Sequence, residues 1–163
     1  MSIRIYTDGS SRGNPGPGGW GAIVSTDESV IELGGREDHT TNNRMELMAA
    51  IMALEYVRAQ NLGAEPIEVY SDSKYVIMGI TEWIIGWQSK GWKTAAKKAV
   101  INQDLWERLL AATLEEPIAW KYVEGHAGHH ANERCDEIAT MFADNENPSL
   151  YSGSKAKYLI DHV

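Results

Sequence analysis

Short apolar segments alternate with amphipathic segments of helical spacing along most of the chain, and this alternation limits the fold more than any other feature. Strands that follow each other directly favour an antiparallel hairpin, whereas strands separated by helices favour parallel pairing. The predicted order is three strands, a helix, a strand, three helices, a strand and a final helix. The sequence therefore predicts an α/β domain with a mixed sheet that is flanked by helices.

Turn signals and apolar periodicity give the predicted bounds of these elements. The strands span residues 3–8, 20–26, 29–35, 67–71 and 118–123. The helices span residues 44–60, 73–80, 82–88, 102–114 and 131–143. The length of 163 residues, of which 43% are hydrophobic, suits one domain with one core. We place this domain at residues 1–145 and expect residues 146–163 to form a partly mobile tail.

The charge of the chain is unevenly distributed. A net charge of −8 alone argues against a nucleic-acid partner, because such partners usually require a positive surface. The segment from Gly86 to Val100, however, contains four lysines and no acid. They are Lys90, Lys93, Lys97 and Lys98, and Trp83, Trp87 and Trp92 lie in or beside the segment. Interleaved lysines and aromatic residues are typical of nucleic-acid surfaces. Helix packing is the favoured explanation for Trp83, whereas Trp92, next to Lys90 and Lys93, is better placed to lie along a sugar-phosphate backbone.

Membrane and secretory proteins have sequence features that this chain does not show. No apolar run reaches the roughly 20 residues of a membrane span. The N-terminal segment reads as a strand and lacks the pattern of a signal peptide. Cys135 is the only cysteine, so an intrachain disulfide is excluded. We therefore expect a cytoplasmic protein without a membrane partner.

Two aspartates follow predicted strands. If the strands before Asp8 and Asp72 are parallel neighbours, both carboxylates emerge at the same carboxyl edge, where open α/β sheets place their ligands. Each aspartate also has a structural explanation. Asp8 would begin a turn at Gly9, and Asp72 would cap the helix that begins at Ser73.

Two further acids occur in marked local contexts. With Asn43 as N-cap, Glu46 falls at the third helical position and resembles a capping box. Asp136 follows Cys135 at the border of an apolar helix face, and it is either a surface acid or a residue of a cleft. If the fold gathers these two acids with Asp8 and Asp72, the four carboxylates form an oxygen cage for Mg²⁺ or Mn²⁺.

Other candidate sites are weaker. His126, His129 and His130 suggest zinc, but the chain lacks the second cysteine or separate histidine pair of a zinc finger. His126 lies between glycines, where it would either move protons near neutral pH or be an ordinary exposed loop residue. Residues 16–21 match a dinucleotide-binding string, yet they precede a strand rather than open a helix, so we reject that interpretation.

Several longer motifs, taken together, are similar to those of one enzyme family. They are Thr7-Asp8-Gly9-Ser10, the glycine and proline run at 13–19, Thr41-Asn42-Asn43-Arg44-Met45-Glu46, Ser71-Asp72-Ser73-Lys74, Gly91-Trp92-Lys93-Thr94, Gly125-His126-Ala127-Gly128-His129 and Asn132-Glu133-Arg134-Cys135-Asp136. On these motifs the chain resembles the ribonuclease H family, most closely its bacterial type 1 branch. The resemblance extends from Tyr6 to about Ala143.

The resemblance implies a fold and an activity. It implies a five-stranded sheet, a monomer, and endonucleolytic cleavage of the RNA strand in RNA–DNA hybrids with two Mg²⁺ or Mn²⁺ ions, giving 5′-phosphate and 3′-hydroxyl ends. Asp8, Glu46, Asp72 and Asp136 match the metal positions of the family. His126 matches a loop histidine that assists proton transfer or product departure.

The resemblance also implies a nucleic-acid surface. Matching contact positions are Asn14, Thr41, Asn42, Asn43, Lys74, Trp83, Lys90, Trp92, Lys93, Thr94, Lys97 and Lys98. Thr41 and Asn42 belong to a pocket for a DNA phosphate, and residues 83–100 form a basic protrusion that contacts the DNA strand. The chain departs from common family choices at Ser11, Arg12, Lys74 and Glu124.

Three alternatives to this assignment remain open on the sequence. The first is another nuclease or transferase of the same fold, such as an integrase-like or junction-resolving enzyme. The second is a hybrid-binding module without catalysis, against which the complete set of four acids speaks. The third is a zinc-binding interaction domain.

Overall fold

The computed structural model describes residues 2–62, 65–113, 117–124 and 129–163. Its strands are β1 (Ile3–Ser11), β2 (Gly16–Ser25), β3 (Ser29–Thr40), β4 (Ile67–Ser71), β5 (Ile118–Tyr122) and β6 (Ser152–Ser154). Its helices are α1 (Asn42–Ala59), α2 (Lys74–Met78), α3 (Ile84–Ser89), α4 (Gln103–Ala112) and α5 (His130–Ala143). The predicted α/β class is confirmed, and so is the order of strands and helices up to residue 143 except within residues 74–89. Among these helices, none is long and apolar enough to cross a bilayer.

The strands form one mixed sheet in the order β5-β4-β1-β2-β3-β6. The strands β1, β4 and β5 are mutually parallel, as expected for strands separated by helices. The strands β1, β2 and β3 pair in an antiparallel manner, which confirms the predicted hairpin between β2 and β3. The expected number of five strands was wrong, because residues 152–154 add β6 to the free edge of β3.

Successive residues of β1 point to opposite faces of the sheet, and each face has its own core. Ile5 faces a large cluster that α1 and α4 share, with Ile51 and Leu109 fully buried in it. Tyr6 faces a smaller cluster beneath α5, which contributes the fully buried Cys135. The sheet is therefore a rigid layer between helices, and its carboxyl edge is held from both sides.

The C-terminal tail contacts the smaller cluster. Tyr158 and Val163 are buried there. The buried Glu32 of β3 accepts hydrogen bonds from the Tyr158 hydroxyl at 2.6 Å and from the Tyr151 amide at 2.8 Å. It also forms a two-bond ion pair with Arg134 of α5. These contacts continue the packing beyond the predicted boundary at residue 145, whereas mobility of the tail remains a prediction.

Residues 74–89 form one continuous helical segment rather than the two separate helices that we predicted. A π-helical turn at Gly79–Trp83 joins α2 to α3. Gly79 lies against the ring of Trp106, and a Cβ at this position would come within 2.0 Å of that ring. The segment therefore packs closely on α4 and leads into the basic protrusion.

Candidate active site

Asp8 and Asp72 meet at the carboxyl edge of the sheet. The strands β1 and β4 are parallel neighbours in which Thr7 pairs with Ser71, so the two aspartates follow paired residues. The amide of Gly9 donates to the Asp8 carboxylate at 2.9 Å. Asp72 is not the helix cap that its sequence context suggested, because Ser73 is the N-cap of α2. The helix therefore leaves the Asp72 carboxylate free for another role.

Glu46 reaches the same edge from α1. The N-cap of α1 is Thr41, whose hydroxyl accepts from the amide of Arg44 at 3.2 Å, so the capping box that we predicted from Asn43 was wrong. Glu46 instead lies in the second turn of the helix and is buried. One of its oxygens, Oε1, has no hydrogen-bond partner among the described residues. A buried carboxylate oxygen without a partner is costly, and a cation would offset that cost.

A glycine lets α1 approach the strand. A Cβ on Gly9 would lie 2.3 Å from the amide nitrogen of Glu46, which is far inside van der Waals contact. Only glycine at this position allows the helix backbone to lie directly on β1. The residue after Asp8 thereby determines how closely Glu46 approaches that aspartate.

The three carboxylates form one group with the chemistry of a metal site. Asp8, Glu46 and Asp72 each place one oxygen within 4.8 Å of the others. Magnesium and manganese prefer carboxylate oxygens, and this group contains no sulfur or imidazole ligand that would favour zinc. The donor set, its spacing and the unpartnered Glu46 oxygen all fit a hard divalent cation. We call these three residues the acid cluster.

The electrostatics of the acid cluster point the same way. Burial raises the pKa of Asp8 to about 8, and the charges of Asp72 and Asp136 add to this effect. Burial, followed by the charge of Asp8, raises the pKa of Glu46 well above its ordinary value. Burial is also the main cause that raises the pKa of Asp72. Without a cation, the cluster therefore holds protons that an exposed carboxylate would release.

Asp136 lies beside the acid cluster rather than within its 4.8 Å group. The helix α5 packs on β2 through Gly21, where a Cβ would lie 2.5 Å from the carbonyl oxygen of Cys135. Gly21 is paired with Asp8 across the sheet, so this close approach brings the next residue, Asp136, toward the cluster. The side chain of Asp136 is exposed, and its charge raises the pKa of both Asp8 and Asp72.

The predicted histidine sites are described only in part. His126 belongs to residues 125–128, which lie outside the described residues. His129 and His130 are exposed at the start of α5, and His130 Nδ1 lies 3.6 Å from Glu133. Among the described residues, the acid cluster is the only group of three potential metal ligands, and neither histidine belongs to it.

A polar pocket lies beside the acid cluster at the N-terminus of α1. Its lining residues are Ser11, Asn14, Thr41, Asn42, Asn43, Ile101 and Asn102. The side-chain oxygen Oδ1 of Asn14 accepts from the backbone amide of Asn42 at 3.0 Å, which ties the β1–β2 connection to the helix N-terminus. The pocket contains Asn14 and all three predicted residues of the α1 start, where the helix dipole favours an anion.

Asn102 is a pocket residue that the sequence did not reveal. It has a left-handed backbone conformation, with φ of 64°, just before α4. Its side-chain oxygen Oδ1 accepts from Arg44 at 3.3 Å, and its side-chain nitrogen Nδ2 donates to the Tyr75 hydroxyl at 3.1 Å. The only local signal is that asparagine tolerates this conformation better than most residues.

The basic protrusion, residues 83–100, carries its lysines on the outside. Lys90, Lys93, Lys97 and Lys98 are exposed, and none forms an ion pair with an acid of the described part of the chain. The exposed Thr94 shapes the tip: its amide donates to the Lys98 carbonyl at 2.8 Å. A surface of unpaired lysines suits a polyanion.

The three tryptophans of this segment form a chain of tilted ring contacts. Trp83 contacts Trp87 with ring centroids 6.0 Å apart, and Trp87 contacts Trp92 at 6.3 Å. Trp83 is 39% exposed, whereas Trp92 packs against the core. The sequence had favoured packing for Trp83 and a surface role for Trp92, and the observed exposures are the reverse.

Lys74 is the predicted contact nearest to Asp72. It is exposed at the first position of α2, and its ammonium lies 5.6 Å from the ring centroid of Tyr122. Tyr122 ends β5 and pairs with Ser71. The cation therefore lies close to the carboxyl edge, as its sequence position implied.

Comparisons with known proteins agree with this geometry. A family model described as RNase H matches residues 1–144. A Ribonuclease H of Cyanothece sp. is 54% identical over 148 residues, which cover 90% of this chain and 92% of that protein. A Ribonuclease HI of Caulobacter vibrioides is 51% identical over 148 residues, covering 91% of this chain and 97% of that protein.

Solved structures share the fold. LC9-RNase H1, a type 1 RNase H with the type 2 active-site motif, superposes with a TM-score of 0.81 at 30% identity, over 93% of this chain and 77% of that one. LC11-RNase H1, solved in complex with an RNA/DNA hybrid, gives a TM-score of 0.67 at 25% identity, over 88% and 97% of the two chains. The chain therefore belongs to the ribonuclease H family, within its bacterial type 1 branch, and is an endonuclease that cleaves RNA in RNA–DNA hybrids.

Proposed function

We propose that the protein performs this cleavage with two divalent cations, Mg²⁺ or Mn²⁺, held by Asp8, Glu46, Asp72 and Asp136. The observation that carries the proposal is the convergence of three carboxylates from β1, α1 and the end of β4, with oxygens within 4.8 Å of one another. When bound, two such cations supply the charge that activates the attacking water and stabilises the leaving 3′ oxygen. The products then carry 5′-phosphate and 3′-hydroxyl ends.

The proposed catalytic residues differ in burial and in the roles that we assign to them. Asp8 and Glu46 are buried and bind through fixed oxygens, because strand β1 and helix α1 hold their backbones. Asp136 is exposed beside them and would complete the set of metal ligands from the solvent side. His126 comes between β5 and α5 in the sequence, and we assign it the transfer of a proton to the departing product near neutral pH.

Substrate selection rests on shape rather than on base sequence. The polar pocket at Thr41 and Asn42, with Asn14 at its rim, is suited to a phosphate of the DNA strand because polar side chains and the positive end of α1 meet there. The basic protrusion grips the same strand through its lysines. Backbone groups and asparagine side chains near the acid cluster contact the 2′-hydroxyls that a wide minor groove exposes. Asn43, Lys74 and Thr94 complete the proposed contact surface.

The assembly state and the location complete the proposal. We propose a monomer, as the family resemblance implies, and a cytoplasmic location, which the single cysteine favours. The one cysteine, Cys135, is fully buried, where its sulfur donates to the Tyr6 carbonyl. Light scattering on the purified protein tests the monomer, and fractionation of cells tests the location.

The decisive experiment is a cleavage assay on three matched duplexes. The RNA strand of the hybrid should be cut with Mg²⁺ or Mn²⁺ and left intact with EDTA, while duplex DNA and duplex RNA of the same sequence are not cut. Cleavage of duplex DNA would instead indicate an integrase-like or junction-resolving activity. Binding of the hybrid without any cleavage would reduce the protein to a binding module. End analysis of the products tests the chemistry of the cut.

A further inference from the structure

An ion pair joins the first loop to the end of the last helix. Arg12, between β1 and β2, donates from Nε to Asp144 at 2.6 Å and from Nη2 at 2.7 Å. The pair is open to solvent, with side-chain exposures of 50% for Arg12 and 35% for Asp144. The guanidinium is therefore reachable by another anion from the solvent side.

The position of this guanidinium relates it to the substrate path. Arg12 lies four residues beyond Asp8, which corresponds to roughly 13 Å of extended chain. The Arg12 amide donates to the Pro17 carbonyl at 2.7 Å, so the loop is held in place beside the polar pocket. Asp144 directly follows α5, the helix that carries Asp136. The charge of Asp136 also contributes, after Asp144, to a raised pKa of Arg12.

The existing partner of Arg12 is easily exchanged. An exposed ion pair changes an equilibrium by about fivefold at most, because water screens it. A phosphate offers the guanidinium the same two-bond geometry as a carboxylate and carries a comparable charge. A hybrid bound at the acid cluster extends over several nucleotides, so one of its backbone phosphates can reach Arg12 across the roughly 13 Å of chain from Asp8. Because the exposed pair contributes so little, a phosphate that binds the guanidinium more strongly than Asp144 does displaces it.

We propose that Arg12 is a substrate-binding residue that exchanges Asp144 for a backbone phosphate of the bound hybrid, and that Asp144 is its internal competitor in the free enzyme. This inference rests on the proposed function. The alternative is that the pair merely ties the first loop to the end of α5. The two roles make opposite predictions for Asp144, since removing a competitor strengthens binding whereas removing a tie weakens it.

The test compares Arg12→Ala, Arg12→Lys, Asp144→Asn and the double variant Arg12→Ala/Asp144→Asn on a short RNA–DNA hybrid at low salt. Arg12→Ala should raise KM about fivefold with kcat within about twofold, and Arg12→Lys should fall between it and the wild type. Asp144→Asn should lower KM about twofold to fivefold. The double variant should match Arg12→Ala, because Asp144 acts only through Arg12.

Salt dependence and a remote ion pair supply the controls. In Arg12→Ala the slope of log KM against log salt concentration should fall by about one, as expected for the loss of one phosphate contact. The loss of a structural tie does not produce this change. Arg108 and Glu55 form a comparable exposed pair between α4 and α1, at 2.7 and 2.8 Å. Glu55→Gln should leave KM unchanged.

The outcomes separate this inference from the proposed function. An unchanged KM in Arg12→Ala would overturn the exchange. So would an Asp144→Asn variant whose KM rises and whose Tm falls as much as those of Arg12→Ala. A wild-type protein that does not cut the hybrid at all would instead refute the proposed function.

Discussion

The acid cluster and the basic protrusion are built in opposite ways. The cluster gathers Asp8, Glu46 and Asp72 from distant parts of the chain, and Asp8 and Glu46 are buried. The protrusion is one continuous segment, residues 83–100, whose lysines are exposed. Burial raises the pKa of the cluster carboxylates, whereas the lysines remain in water without acidic partners in the described part of the chain.

This difference assigns each region a step. The fold holds carboxylates together against their mutual repulsion, and only a cation or a proton relieves that repulsion. The cluster is thus prepared for chemistry before the substrate arrives. The protrusion gains its interaction energy only when a polyanion approaches, so it belongs to binding. Changes in the cluster should lower kcat, and changes in the protrusion should raise KM.

The largest expected effect is loss of the chemical step in the cluster. Asp8→Asn or Asp72→Asn should lower kcat by about a thousandfold or more, because each removes a charged ligand from the proposed metal site. Hybrid cleavage under single-turnover conditions measures the chemical step directly. Calorimetric titration with Mg²⁺ should show the same loss in metal binding without any substrate.

The control for this prediction is an intact fold. Both variants should keep the circular dichroism of the wild type, because neither side chain packs in a core cluster. Substantial Mg²⁺-dependent cleavage by either purified variant would show that the cluster does not carry the chemistry.

A smaller effect on binding is expected from the protrusion. Changing Lys90, Lys93, Lys97 and Lys98 to glutamine should raise KM about 10-fold to 100-fold at low salt while kcat changes less. The salt slope of KM should fall by up to about four, one for each phosphate contact that is lost. Steady-state kinetics between low and moderate salt check both numbers. An unchanged KM at low salt would contradict a grip by this surface.

The same contrast explains how much the sequence could predict. The protrusion is local, so its lysines were visible as a run, although the exposure of Trp83 and the packing of Trp92 depended on tertiary contacts. Strand ends placed Asp8 and Asp72 together, because parallel neighbours share a carboxyl edge. The position of Glu46 could not be read locally, since the true N-cap, Thr41, lies two residues before the predicted one.

Close helix approaches were also hidden in the sequence. Gly9 and Gly21 allow α1 and α5 to lie on the sheet, but a glycine in a strand has several possible meanings. The sixth strand was missed because Ser152–Ser154 lacks any apolar pattern and forms only by pairing with β3. Family resemblance supplied Glu46 and Asp136 where physical reasoning from the sequence left alternatives open.

A third prediction concerns stability without metal, where no cation offsets the burial and repulsion of the cluster carboxylates. The Asp8 pKa of about 8 lies above its ordinary value of 3.8, so between these values the folded state holds a proton that the unfolded state has released. Stability should therefore fall as pH rises from about 4 to about 8. Asp8→Asn removes this loss and should raise the Tm in EDTA at pH 8 by several degrees.

Thermal unfolding at several pH values in EDTA checks this sign. The exposed Asp27 of the β2–β3 turn supplies a matched control, and Asp27→Asn should follow the wild-type curve. Added Mg²⁺ should stabilise the wild type and Asp27→Asn more than Asp8→Asn, because only a protein that binds the ion gains from mass action. An Asp8→Asn protein less stable than the wild type at pH 8 would contradict the proposed repulsion.

The smallest expected effect lies where the two regions meet, at Tyr75. Its hydroxyl accepts from Asn102 of the polar pocket and from Trp106 Nε1, each at 3.1 Å, and its ring contacts Trp83 of the protrusion. Tyr75→Phe leaves both donors without this acceptor while the ring packing stays. We expect a KM increase of a few fold, because the pocket and the protrusion lose their common anchor.

A matched variant distinguishes this coupling from a general loss of stability. Tyr70→Phe also removes one hydroxyl, which donates to Glu68 at 3.1 Å on strand β4. Both variants should lower the Tm by a few degrees, since Tyr75→Phe loses two hydrogen bonds and Tyr70→Phe loses one. Only Tyr75→Phe should raise KM, and combining it with the four lysine changes should raise KM by less than the product of the separate effects. If the effects of Tyr75→Phe and of the four lysine changes on KM simply multiply, the polar pocket and the basic protrusion bind the DNA strand separately.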